Sequence, residues 1–253
     1  MKFNAPGQAV LAYHEVMPES NYSYCVTEGD FAGHLDLVRS CGAAAAKITF
    51  DDGEQSQMRY AGPLLAKHGL QATYFITPGL IGTAEKFLDW SQLRELQIAG
   101  HSIQSHGWSH RFLPACADKE LEYELTASKP ALEDRLGRAV EEISIPGGRW
   151  NNRVLRACAA CGYKRVYISQ PWIVALDSGV SVIGRFMVRR TTTLAELKNM
   201  IEMDRRTLHR LKVRSQVRSA LVSVLGDDRY HRLWRRLTGY NEFEEARRQQ
   251  SYS

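Results

Sequence analysis

The chain has 253 residues, 44% of them hydrophobic, and a formal net charge of +5. This is enough for one large domain with a substantial core, or one domain with an appendage. No run of about eighteen apolar residues occurs, which excludes a membrane-spanning helix. The charge is uneven. Residues 205–253 carry twelve Lys and Arg against five Asp and Glu, leaving 21 against 23 in residues 1–204. The division into a region 1–204 and a basic helical extension 205–253 follows from that shift. Met1 to Gln8 lack the basic start and long apolar stretch of an export signal, which predicts a cytoplasmic chain. The five cysteines are odd in number and widely spread, as expected of reduced thiols.

In chain order, Gln8 to His14 reads as a short buried strand ending in an aromatic residue and a histidine. Glu15 to Thr27 is polar and aromatic, a loop. Thr27-Glu28-Gly29-Asp30 opens a helix through about Ser40, with Phe31, Leu35 and Val38 on one face. Ala43 to Phe50 is a strand that ends in Asp51-Asp52-Gly53. Glu54 to His68 has helical character, with Pro63 predicting a kink or break. Ala72 to Thr77 is a β-branched and aromatic strand. Asp89-Trp90-Ser91 leads into a helix ending near Ala99. His101 to Ser105 is a short strand leading into His106 and His110. Gly107 and Ser109 between them are poor helix formers, so the pair belongs on an irregular turn.

Asp118 to Leu136 is a long helix with Leu121, Leu125 and Leu132 on its apolar side. Glu141 to Ile145 is a strand turned by Pro146-Gly147-Gly148. Asn151 to Cys161 is a helix, Arg165 to Ser169 and Val180 to Val188 are strands, and Thr193 starts a further helix. Strands and helices thus alternate about seven times, which argues for a parallel sheet closed or nearly closed. The tail from Arg205 to Gly239 reads as two amphipathic helices broken near Gly226.

Two stretches carry chemistry. One carboxylate from Asp51-Asp52 and the imidazoles of His106 and His110 supply three ligands for a divalent ion, with positions left open for water and substrate. The other carboxylate is then free as a base. Adjacent residues of an extended chain point to opposite sides, so the loop must bend, and Gly53 permits it. His14 at a strand end could be a polar residue at a sheet rim. His101 reads as a packing or supporting residue. Cys158-x-x-Cys161 lies within a helix and reads as a structural pair.

Thr49-Phe50-Asp51-Asp52-Gly53 followed by His106-x-x-x-His110, with Pro-Gly-Gly downstream, resembles the polysaccharide deacetylases. These are the family-four carbohydrate esterases related to nodulation-type chitooligosaccharide deacetylases. The resemblance spans roughly residues 8 to 190. It implies a distorted (β/α) barrel, usually of seven strands, and hydrolysis of an N-acetyl group on an amino sugar. It implies that Asp52, His106 and His110 hold the ion, zinc before cobalt or nickel, and that Asp51 is the base. The usual late Leu-x-His is absent, since the corresponding strand reads Gly184-Arg185-Phe186-Met187-Val188-Arg189-Arg190. The chain is similar here to a permuted subgroup, the biofilm poly-N-acetylglucosamine deacetylases, in which an N-terminal Tyr-His supplies the general acid. That assigns the role to His14.

The family's Arg-x-Pro-x-Gly is here Ser144-Ile145-Pro146-Gly147-Gly148, with Ser144 in place of the arginine that orients the base. Arg149 then has three readings: a replacement reaching the same carboxylate, a substrate contact, or a surface residue. Pro146, Gly148, Arg149 and Trp172 are the expected substrate-side residues, with Trp108 and Trp150 as other aromatic candidates. Other readings are an amidohydrolase acting on a cyclic amide or imide, and a catalytically silent metal- or sugar-binding protein. The intact Asp51 argues against silence. The expected partner is an N-acetylated saccharide. The basic tail is either a solvated helical face or a surface for anionic lipid at the inner face of the membrane, suited to a lipid-phosphate-linked sugar. No nucleic-acid module accompanies the charge.

Overall fold

A computed structural model describes residues 8–171, 179–204 and 206–210, together with 213 and 217. The chain divides into two compact units, Met1–Met203 and Asp204–Ser253. The first alternates strands and helices. β1 (Ala9–Tyr13) is followed by two short strands, β2 (Glu15–Met17) and β3 (Cys25–Thr27), and by helix α1 (Glu28–Ser40). Then come β4 (Ala46–Phe50), α2 (Gly62–His68), β5 (Ala72–Ile76), α3 (Trp90–Ile98), β6 (Ser102–Ser105) and α4 (Asp118–Leu136). The remainder is β7 (Glu142–Ser144), α5 (Asn152–Ala160), β8 (Arg165–Ile168), β9 (Ser181–Gly184), β10 (Phe186–Met187) and α6 (Leu194–Ile201).

Local chemistry sets the boundaries. Thr27, Asp89, Asn151 and Thr193 accept backbone N–H groups at the starts of α1, α3, α5 and α6, and left-handed Gly69 and Gly137 stop α2 and α4. Pro63 distorts its segment without ending it. A π-helical turn, Gln57–Ala61, precedes α2, whose first turn holds the proline where its missing N–H costs nothing. The expected loop at 15–27 is instead partly paired, because Val16, Cys25 and Val26 are buried and their backbones bond across β2 and β3.

Eight parallel strands form one sheet in the order β10-β1-β4-β5-β6-β7-β8-β9. The two edge strands are consecutive in the chain, separated only by Arg185. Arg185 N–H continues the ladder onto the Ile168 carbonyl of β8, and Val188 N–H continues it onto the Ala12 carbonyl of β1. The last strand therefore passes from β8 to β1 and brings the edges together, giving a distorted (β/α) barrel of seven staves when β9 and β10 are counted as one bent strand.

The barrel interior is layered. At the floor, Lys47 Nζ donates to Glu142 (2.9 Å) and to Tyr167 Oη (2.7 Å), and Arg165 Nε donates to Glu142 (2.7 Å). Above it Phe75 packs with Val10, Tyr167 and Ile183. Tyr13, Phe31, Phe50 and Tyr74 form an aromatic layer on the outer face, beneath α1. Among the described residues, no helix is long and apolar enough to cross a membrane.

In the second unit, Asp204 accepts the Thr207 N–H at the start of a helical stretch, 206–210. The predicted helices beyond it lie mostly outside the described residues.

Phe75 is fully buried and supports everything above it. Phe75→Ala should lower stability by about 3–5 kcal/mol, read as a fall in denaturant midpoint at unchanged m-value. A loss under about 1 kcal/mol would mean that the interior is not packed as described.

Candidate metal and acid–base site

In a parallel barrel all strand carboxyl ends meet at one rim. β4 delivers Asp51 and Asp52, β6 delivers His106 and the turn to His110, and β1 delivers His14. The bend that separates the two carboxylates lies at Asp52 itself (φ 77°) and continues through Gly53 (φ 81°). A Cβ on Gly53 would stand 2.9 Å from Ile76 Cδ1, so a side chain there would have to displace that methyl group in addition to adopting the left-handed φ. His110 is also left-handed, at φ 63°. Two of the three expected ligands thus occupy backbone conformations that side chains disfavour, which is common where geometry is dictated by a site.

The structure brings Asp52, His106 and His110 together, with one potential ligand atom from each lying within 4.8 Å of the others. Asp52 Oδ1 stands 3.3 Å from His106 Nε2 and 3.2 Å from His110 Nε2. That oxygen is buried and has no hydrogen-bond partner. A buried carboxylate oxygen facing two imidazole nitrogens without a bond is what a shared cation would satisfy. His106 Nδ1 lies 2.8 Å from the Ser144 carbonyl, an acceptor only, so Nδ1 carries the proton and Nε2 is left free for a metal. The donor set of one carboxylate and two imidazoles fits a divalent transition ion.

The turn between the histidines is held from α4. Glu124, buried on that helix, accepts the backbone N–H of Trp108 (2.8 Å) and of Ser109 (2.9 Å), and the Ser109 hydroxyl. Gly107 lies against the same carboxylate and against Pro146. Gly148, at φ 64°, lies where a Cβ would meet Ser169. Pro146 is therefore against the histidine turn and Gly148 against Ser169, both on a short 3-10 turn after β7.

Asp51 sits 3% exposed beneath this cluster. Arg185 donates to both of its oxygens (2.7 Å each) and to Ser144 Oγ (2.7 Å), and Ser144 Oγ lies 3.2 Å from Asp51 Oδ2. Burial pushes the Asp51 carboxyl up, but Arg185 and His106 outweigh it and hold it down at about 2. Burial likewise opposes ionisation of Asp52, and His110 and His106 overcome it, leaving its carboxyl well below the usual range. His14 is half-buried, its Nδ1 is unpartnered, and burial lowers its pKa against the pull of the two aspartates. Gln57 ties the rim together by donating to the Asp51 carbonyl (2.5 Å) and the His14 carbonyl (2.8 Å).

The guanidinium on Asp51 is thus Arg185 and not Arg149, whose side chain lies over the Phe112 ring at 4.8 Å. The sequence had a signal for this: Ser144 left a buried carboxylate without its cation, and Arg185 sits in a late strand of otherwise apolar residues. His101 accepts the Ala72 N–H and packs on Tyr74, a structural role. Cys158 is buried and Cys161 half-buried, both free thiols. Trp108 is half-buried, its ring 6.0 Å from Tyr123, and Trp150 Nε1 donates to Gln170. Trp172 lies outside the described residues.

Two outcomes follow from this geometry. Glu124→Gln should weaken zinc binding about 10- to 100-fold, the range for residues that orient metal ligands, with little change in circular dichroism. Undiminished zinc affinity on titration would show that the turn holds its shape without Glu124. Arg185→Met should cost about 3–5 kcal/mol, because it strands a buried carboxylate. The double variant with Asp51→Asn should recover most of that loss, and equal stability of single and double variants would refute the coupling.

Comparison with known proteins agrees with the geometry. A family model described as polysaccharide deacetylase matches residues 41–166. YxkH of Bacillus subtilis, named as a candidate polysaccharide deacetylase, is 30% identical over 199 residues, covering 71% of this chain and 70% of that protein. The chitooligosaccharide deacetylase of Azorhizobium caulinodans is 32% identical over 121 residues, 47% of this chain and 55% of its own length. In fold, Streptococcus pyogenes deacetylase PplD in complex with acetate superposes with a TM-score of 0.70 at 22% identity, covering 77% of this chain and 98% of that one. IcaB from Ammonifex degensii does so with a TM-score of 0.67 at 21% identity, covering 80% and 98%. On the extent and level of the match to YxkH, together with the family model, this chain belongs to the polysaccharide deacetylase family, a family of hydrolases.

Proposed function

We propose that the chain is a metal-dependent hydrolase that removes the N-acetyl group from an amino-sugar-containing saccharide. The observation that carries this reading is the pairing of an ionised, arginine-clamped Asp51 with the adjacent Asp52, His106 and His110 cluster. Names of the relatives, which include chitooligosaccharide deacetylases, support the substrate class.

In this reading Asp52, His106 and His110 hold a divalent ion, zinc first and cobalt or nickel as alternatives. When bound, such an ion polarises the acetyl carbonyl and lowers the pKa of water at the site toward neutrality. Asp51 takes the proton of the attacking water, and Arg185 keeps that carboxylate ionised and aimed. His14 gives a proton to the departing amine. Burial favours its neutral form at rest, so negative charge developing beside it is what draws the proton in. Pro146, which lies against the histidine turn, is a substrate-side candidate together with Gly148, Arg149 and Trp172. The division at 204 and 205, the cytoplasmic location and a contact of the basic tail with anionic membrane rest on sequence alone.

Acetate release from a panel of N-acetyl sugars tests the activity, and a cyclic imide in the same panel tests the related amidohydrolase reading. Asp51→Asn should keep stoichiometric zinc yet lose at least about two orders of magnitude in turnover. Asp52→Asn and His106→Ala should lose the zinc. Retained zinc in Asp52→Asn with loss in Asp51→Asn would reverse the pair. His14→Ala should keep zinc and lose about a hundredfold or more in turnover. A near-normal rate there would remove His14 from the mechanism.

A further inference from the structure

The closing strand bonds β1 as far as Val188, and Arg189 follows at its end with its own N–H turned to the Thr192 hydroxyl. Arg185 points inward onto Asp51, so Met187 and Arg189 fall on the same inward face two and four residues on. Burial agrees: Phe186 and Val188 are 2% and 0% exposed beneath the outer layer, while Met187 and Arg189 are half-buried. The register pairs Leu11 with Phe186 and Ala12 with Met187, and Val188 N–H bonds the Ala12 carbonyl. Two steps further, Arg189 comes abreast of His14. On the other side of β1, Tyr13 pairs with Phe50, which brings Asp51 abreast of His14 as well. The rim therefore presents Arg189, His14 and Asp51 in a row on three neighbouring strands.

Tyr24 binds the Arg189 end of this row together. Its ring lies 5.0 Å from the His14 ring, Arg189 sits over it at 4.8 Å, and Arg189 NH2 donates to its hydroxyl at 3.0 Å. The Arg190 N–H bonds the Ser23 carbonyl and fixes the two segments to each other. The Arg189 guanidinium has no acidic partner among the described residues, and the single bond to Tyr24 leaves most of its five N–H groups unused. A rigidly placed, half-buried guanidinium without a carboxylate is a receptor for planar oxyanions.

Its position says which part of a ligand it meets. On the deacetylase reading, on which this inference rests, Asp51 serves the water and acetyl side of the amide and His14 serves the amine. The amine belongs to the sugar, so groups beyond His14 face the sugar. We infer that Arg189, braced by Tyr24, is a specificity subsite for an anionic substituent, phosphate or carboxylate, on the amino sugar that is deacetylated.

The test is acetate release by the zinc-loaded full chain from N-acetylglucosamine 1-phosphate, N-acetylmuramic acid and neutral chitooligosaccharides. The native chain should favour an anionic sugar, and the two charged substrates distinguish phosphate from carboxylate. Arg189→Gln should reduce the ratio of kcat/KM for charged over neutral sugar by about ten- to hundredfold, mainly through KM, the worth of a hydrogen bond to a charged group. Arg189→Lys should restore part of that ratio. No preference in the native chain, or an unchanged ratio in Arg189→Gln, overturns the subsite. Calorimetry separates this from failure of the activity itself. If no sugar releases acetate, tighter binding of N-acetylglucosamine 1-phosphate than of N-acetylglucosamine, lost in Arg189→Gln, still upholds the subsite and rejects only the deacetylase reading. Equal binding in both proteins rejects the subsite.

Discussion

The bidentate pair between Arg185 and Asp51 is the contact on which the rest of the site depends. Both groups are withdrawn from water, at 0% and 3% exposure. Desolvating two charges costs several kcal/mol per ion, and mutual attraction only returns it when the geometry is good and the remaining polar atoms are bonded. The first condition holds, with two parallel bonds to Asp51 and a further one to Ser144, whereas the buried Arg185 Nε has no hydrogen-bond partner among the described residues. Apolar residues of similar volume would stabilise a barrel as well or better. The arrangement makes sense as a device that keeps a carboxylate ionised where burial alone would neutralise it. Arg185 is also the residue at which the closing strand passes from β8 to β1. Closing the sheet and supplying the Asp51 carboxylate with its counter-charge are therefore one structural event.

The strain at the rim needs support, and two polar side chains provide it. Asp52 and His110 hold left-handed backbones, each costing on the order of 1–3 kcal/mol. Glu124 fixes the turn between the histidines through backbone N–H groups, and Gln57 fixes the loop after β4 through the Asp51 and His14 carbonyls. Neither needs to touch a ligand to matter. Below them the Phe75 layer and the Lys47–Glu142–Arg165–Tyr167 floor exclude looser alternatives. A cluster of weakly favoured local conformations is thus over-determined by a rigid base, the usual condition under which such strain persists.

Much of this was legible beforehand because it is local. Helix caps at Thr27, Asp89 and Thr193, the β-branched run at 72–77, and the carboxylate and histidine spacing are all written in neighbouring residues. The parts that were not legible are the long-range ones. Arg185 and Asp51 are 134 residues apart, and an arginine in a short apolar strand marks itself as unusual without naming its partner. Arg149 was the nearer candidate in sequence, but the turn at 146–148 carries it onto Phe112. The strands at 15–17 and 25–27 were missed because three residues are too few for an alternation to register. The left-handed turn was expected at Gly53 alone, because nothing in an aspartate announces φ 77°.

In the proposed mechanism, parallel strand geometry also lets the acid come from the amino-terminal end of the chain. Neighbouring strands lie about 4.8 Å apart, so side chains in register on adjacent strands can approach one amide from two sides. β1 stands between β4 and β10, and His14, which follows its end, lies one register step past the Tyr13–Phe50 pair on the Asp51 side and against the Tyr24 ring that carries Arg189 on the other. A base for water and an acid for the amine must sit on different sides of the bond being cut, and the register supplies that separation without a specialised loop. The late strand then has no need of a histidine. Its inward positions carry arginines instead, one below the rim to hold the base and one at the rim beside the acid. The chemistry of the site is distributed by which strand neighbours which, and the order of those residues along the chain is incidental to it.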